Sequence, residues 1–152
     1  MRRITWFKYR EVAGKIYAPY VTATLEFGGK KSRRIDFLID SGASRSFVPR
    51  FHVADLFELH LAPAEIESEM RDVGGRPVKG LDIDFNVTIV GASRFPVTHE
   101  RFLMGRDLKV PVLGMTWFEK VGVHFQNFKD RPRGPQFALY PSPHAKNGTS
   151  GE

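Results

Sequence analysis

Apolar and polar positions alternate with a period of two over much of this chain. Val21, Ala23, Leu25 and Phe27 share one phase and Thr22, Thr24 and Glu26 the other, which predicts a half-buried strand. Gly28-Gly29-Lys30-Lys31 follows as a turn, and residues 35–40 form the next strand. Leu81, Ile83, Phe85, Val87 and Ile89 alternate with Asp82, Asp84, Asn86 and Thr88. That strand follows Gly74-Gly75, which predicts a two-residue hairpin turn. Val110-Pro111-Val112-Leu113 reads as a strand ending at Gly114, and its proline predicts that one side is unpaired or irregular. Residues 121–126 and 136–140 predict a closing hairpin with a long loop. Helical spacing is confined to residues 53–61, through Val53, Leu56, Phe57 and His60, and to residues 115–121. Many short strands separated by turns predict an all-β sandwich or barrel with one or two short helices.

The chain has 152 residues, the size of one domain and enough to bury a core. We expect a single domain over residues 1–143 and a disordered tail over residues 144–152, where Pro141-Ser142-Pro143 gives way to small and polar residues. No internal repeat is present. The absence of cysteine excludes disulfides, thiolate metal sites and a cysteine nucleophile. No signal-length apolar run follows the basic start, and no stretch reaches the roughly 20 apolar residues of a membrane span. The expectation is therefore a soluble, cytoplasmic protein. The net charge of +6 comes from scattered basic residues whose larger clusters sit in turn-like segments. A solvated surface explains them better than a nucleic-acid interface.

The chemistry concentrates in Phe37-Leu38-Ile39-Asp40-Ser41-Gly42-Ala43, an ionisable carboxylate at the end of an apolar strand followed by a tight turn. Ordinary composition yields an Asp-Ser/Thr-Gly triplet in about one chain in fifteen of this length, so the triplet alone decides little. The apolar run before it and the small Ala43 after it narrow the reading. Two carboxylates facing one water cannot both ionise cheaply, so such a pair shares a proton. One of such a pair can then act as general base while the other donates a proton. Gly42 allows the turn and close approach of backbone to substrate.

These residues resemble the retroviral-type aspartic peptidases, the retropepsin-like family. The resemblance spans roughly residues 19–126 and follows the family order. Residues 37–43 match the catalytic loop, Val73-Gly74-Gly75-Arg76 the tip of a flap hairpin, Val112-Leu113-Gly114 the second apolar-Gly strand, and residues 115–121 the helix after it. Leu103-Met104-Gly105-Arg106-Asp107 is a rival for the second element. The resemblance implies an all-β half-barrel with Asp40 as catalytic residue. It also implies that Ser41 ties two active-site loops together across a dimer, and that Val73, Gly74 and Gly75 close over an extended peptide. It implies no cofactor and no metal. A single triplet without a repeat implies a twofold homodimer in which two copies of Asp40 meet. The partners expected are a second copy and a peptide or protein substrate, with no membrane and no nucleic acid.

The chain departs from the family at Ser44-Arg45-Ser46, where retroviral enzymes often carry acids, and in the basic residues around the flap tip. These motivate a second reading, a catalytically inactive dimerisation or peptide-binding module of the same fold. A basic barrel that binds nucleic acid is a third. Asp82 and Asp84 read as the solvated face of an amphipathic strand, and the histidines show no ligand spacing.

Overall fold

The computed structural model describes residues 4–14, 16–56, 67–71, 74–92, 95–126 and 135–141. It contains, in chain order, β1 (Thr5–Lys8), β2 (Arg10–Ala13), β3 (Ile16–Ala18), β4 (Tyr20–Phe27), β5 (Lys30–Lys31), β6 (Ile35–Ile39) and β7 (Ser46–Pro49). After two 3-10 turns, Arg50–His52 and Ala54–Leu56, come β8 (Glu67–Arg71), β9 (Pro77–Ile89), β10 (Thr98–Gly105) and β11 (Val112–Leu113). The helix α1 (Met115–Phe118) leads into β12 (Val121–Gln126), and β13 (Gln136–Pro141) follows.

The main sheet has eight strands in the order β5-β4-β6-β11-β7-β10-β9-β8, and a further pairing of β4 with β9 closes it into a barrel. The alternation read from the sequence explains the closure. Val21, Ala23, Leu25, Phe85 and Val87 are fully buried, so one face of each strand turns inward. Phe37, Phe85 and Phe102 meet at the centre, with ring centroids 5.7–5.8 Å apart for Phe102 and its two neighbours. The Gly28-Gly29 turn has both glycines at positive φ, 58° and 81°, which the twist of a tight hairpin favours. Phe27, read as inward from the alternation, is 39% exposed, because β4 has run past the end of β6 there.

A three-stranded sheet, β1-β13-β12, packs on the barrel through Phe7, Tyr9 and Phe125 around the buried Phe137. Phe7 stacks on Phe137 with centroids 5.4 Å apart. Among the described residues, β2 and β3 form a separate two-stranded sheet.

Several expectations change. The helix expected over residues 53–61 is instead a pair of 3-10 turns as far as residue 56, and residues 57–66 lie outside those described. Val53 and Leu56 are both buried, and spacing of three serves a 3-10 turn as well as an α-helix. The helix expected over residues 115–121 stops at Phe118, because Val121 begins a strand pairing with β13. A ladder to a partner strand outweighs local helix preference. The hairpin at Gly74-Gly75 has a five-residue connection, 72–76, rather than a two-residue turn, since Arg71 pairs with Pro77. Only Val112 and Leu113 form the strand that the sequence begins at Val110. The expected tail, residues 144–152, lies outside the described residues. Among the described residues no helix is long and apolar enough to cross a membrane.

On the outer face, Arg10 donates to Asp36 at 2.8 Å and to Thr22 at 2.8 Å, and the Thr22 hydroxyl donates to Asp36 at 2.6 Å. The Thr22 hydrogen bond first, then Arg10, hold the Asp36 carboxyl below its ordinary value of 3.8 despite partial burial. A carboxyl depressed in the folded state stabilises above its unfolded value, and the contribution is lost as pH falls through the folded one. The Asp36 side chain is 61% exposed, so the effect is a few tenths of a kcal/mol. Urea unfolding of Asp36→Asn at pH 7 and pH 3 should therefore show a slightly smaller acid-induced loss than the wild type.

Candidate active site

The site is assembled by strand direction. β6 and β11 run parallel, with Leu38 beside Val112 and Ile39 beside Leu113. Both strands therefore deliver their C-terminal residues, Asp40 and Gly114, to the same end of the sheet. β7 pairs with the opposite edge of β11, Val112 facing Phe47. The chain leaving β6 must cross the end of β11 to reach β7, and residues 40–45 make that crossing.

The crossing explains the glycines. A Cβ on Gly114 would lie 2.5 Å from the Arg45 carbonyl oxygen and 2.7 Å from that of Ala43. Both are backbone atoms, which no rotamer change can move. Gly114→Ala should cost at least about 1–3 kcal/mol through this overlap, read as a lower denaturant midpoint. A Cβ on Gly42 would sit 3.1 Å from the Asp40 carboxylate.

Hydrogen bonds fix the loop in place. The Asp40 amide donates to the Leu113 carbonyl at 3.1 Å, and the Met115 amide donates to the Ala43 carbonyl at 2.8 Å. The Gly42 amide donates to Asp40 Oδ1 at 2.8 Å, which orients the carboxylate. Asp40 is half-buried, Ser41 and Gly42 are exposed, and Ala43 is half-buried. The carboxylate thus sits on an open face.

Of the residues singled out in the sequence, Asp40, Ser41, Gly42, Ala43, Val112, Leu113 and Gly114 come together in this crossing. The rival Gly105 instead ends β10. Gly74 and Gly75 stand on the connection of the β8–β9 hairpin, Gly75 at φ 78°, and Val73 lies outside the described residues. The hairpin leaves the sheet at Gly80, whose Cβ would lie 2.4 Å from the Met104 carbonyl oxygen. Asp82, read as solvated, is instead largely buried in an ion pair with Arg45 at 2.6 Å. That pair ties the crossing loop to the strand leading from the hairpin. Asp84 pairs with Arg101 at 2.9 Å, which holds its carboxyl below the usual range. Among the described residues no cluster of three or more metal-binding side chains forms.

One polar cluster escaped the sequence reading. Glu100 is buried at 1% exposure and receives hydrogen bonds from Ser46 at 2.7 Å, Thr116 at 2.8 Å and Lys120 at 2.8 Å. The Ser46 hydroxyl in turn accepts from the Gly114 amide at 3.1 Å. The chain of bonds runs from Lys120 to the backbone beside Asp40. Its signal in the sequence was a carboxylate in the same phase as Phe102 and Met104, the inward phase of β10. Arg45, Glu100 and Lys120 also line a cleft of about 350 Å³ with Arg101, Thr116 and Glu119. Asp40 is not among its walls.

No family model and no curated protein matches the chain. Solved structures do. A retropepsin-like aspartic protease from Rickettsia conorii superposes with a TM-score of 0.56 at 20% identity, covering 93% of this chain and 94% of that one. The EIAV protease, in complex with an inhibitor, superposes with a TM-score of 0.50 at 16% identity, covering 71% of this chain and 91% of that one. The fold is retropepsin-like. Within that fold the Asp40 loop crosses over Gly114 and presents a half-buried carboxylate.

Proposed function

We propose that the protein is an aspartic endopeptidase that acts as a homodimer, with the two copies of Asp40 sharing one water. The observation that carries the reading is the Asp40 loop itself. A carboxylate oriented by the Gly42 amide stands at the open end of a retropepsin-like barrel that holds one such loop. In the dimer the paired carboxylates share a proton, and the dyad titrates as a unit, so neither copy has a fixed role. The ionised member takes a proton from the water, which attacks the scissile carbonyl. The protonated member donates to the carbonyl oxygen, giving a tetrahedral diol. Carboxylates and water suffice, and the proposal includes no cofactor.

Under this reading Ser41 braces the two loops across the twofold axis. The β8–β9 hairpin, with Val73, Gly74 and Gly75 in its connection, is the flap that covers an extended peptide and excludes water. Gly80 suits the root of a moving hairpin, and main-chain pairing suits an extended substrate. A cytoplasmic setting belongs to the same proposal.

A statine-type inhibitor carries a hydroxyl that mimics the diol. In calorimetric titration it should saturate at one molecule per two chains. Saturation at one per chain, or no binding under any pH between acid and neutral, would count against the shared site.

A further inference from the structure

We infer that the β2–β3 hairpin is an arm that clasps a second copy of this chain; the inference rests on the homodimer reading above. Three observations carry it. Among the described residues, β2 and β3 pair only with each other, in a two-stranded sheet. Every residue of β2 is exposed, and so are Ile16 and Tyr17 of β3. Pairing across the hairpin joins Arg10 to Ala18 and Glu11 to Tyr17, so the adjacent Ile16 and Tyr17 lie on opposite faces. Both faces therefore present apolar side chains to water, Ile16 at 60% exposure and Tyr17 at 51%. An isolated hairpin of this kind is marginal in water, and a covering surface is what would stabilise it.

The register indicates where that cover comes from. β4 is antiparallel to β6, with Tyr20 beside Leu38, and the Ile39 amide donates to the Pro19 carbonyl at 2.8 Å. β3 ends one residue before Pro19 is followed by β4, so the hairpin leaves the barrel at the Asp40 end of β6. At about 3.3 Å per residue its strands extend roughly 10 Å from that point. A second chain whose Asp40 meets this one must sit at the same end of β6. Arg10 fixes the root of the hairpin to the outer face of the barrel through Asp36 and Thr22. By the twofold symmetry each arm reaches across to the other subunit.

The test is an Ile16→Glu/Tyr17→Ser double variant followed by sedimentation velocity and peptide cleavage over a range of concentrations. These side chains lie outside the barrel core, so the variant keeps its far-UV circular dichroism, and its thermal midpoint falls only by what the lost dimer contributed. The expected result is a dimer dissociation constant raised by at least about a hundredfold, with specific activity restored as concentration rises. The chain has no native cysteine, so a single Ile16→Cys provides a second readout. Its thiol should react with a maleimide at least tenfold more slowly at dimeric than at monomeric concentrations. A variant that dimerises like the wild type, with a thiol equally reactive at both concentrations, overturns the arm and leaves the peptidase reading intact. Wild type that stays monomeric overturns both. A dimer that is weakened by the double variant but never cleaves peptide upholds the arm and overturns the catalytic reading.

Discussion

Asp40→Asn should abolish peptide cleavage, with kcat/KM lowered by at least about a thousandfold. The substitution is nearly isosteric. The asparagine side-chain carbonyl can still accept from the Gly42 amide, so the crossing loop keeps its main brace. What is lost is the ionisable pair: no general base remains to take the proton of the water, and no acid remains to protonate the carbonyl oxygen. Because both subunits carry the change, nothing in the site compensates. A sharper form of the test mixes wild-type and Asp40→Asn chains after dissociation and reassembly. With equal amounts, random pairing leaves about a quarter of dimers with two aspartates, and activity should fall to that share. Activity proportional to the wild-type fraction would mean that each chain carries a complete site, contrary to the shared dyad. Cleavage by Asp40→Asn at the wild-type rate would remove the proposal altogether. A wild-type dimer that binds extended peptides without turnover at any pH would leave the binding-module reading.

Much of the barrel was legible because burial follows alternation. β4 shows it from Val21 to Leu25 and β9 from Ile83 to Ile89, where the inward phase is buried at every position. The Asp40 loop was legible for a different reason: its residue types are demanded locally by a turn. Gly114 was legible as a motif, but its physical cause needed the topology. Only the crossing over the end of β11 puts the Ala43 and Arg45 carbonyls where a side chain would stand. The first three strands went unread. β1 depends on β13, which lies over a hundred residues away, and β2 and β3 are too short for a periodic signal. Asp82 was misread because alternation places it outward, and outward does not mean solvated when Arg45 crosses above it. Helical spacing misled at residues 53–56, where two 3-10 turns bury the same pair of side chains.

Glu100 shows why a buried charge is hard to read and what it does once found. Glu100→Ala should destabilise the protein by about 2–4 kcal/mol. The carboxylate is the common acceptor for Ser46, Thr116 and Lys120, and truncation strips all three at once. Lys120 is partly exposed and can turn to water, which keeps the cost below that of a fully buried pair. The Ser46 and Thr116 hydroxyls have less freedom, because Ser46 is fully buried and its oxygen already accepts from the Gly114 amide. Glu100→Gln keeps the volume and one good acceptor, so its cost should be about half as large. Denaturant unfolding at fixed protein concentration measures both, since dimerisation adds to apparent stability. The loss should reach the site as well. Ser46 and Gly114 lie on the two sides of the crossing that positions Asp40, so cleavage by the alanine variant should fall more than tenfold even where it is fully folded. If Glu100→Ala were as stable as wild type within about 0.5 kcal/mol, the cluster would be a bystander. The Asp40 loop would then owe its position to the Asp40–Leu113 and Met115–Ala43 backbone hydrogen bonds and to the Arg45–Asp82 ion pair.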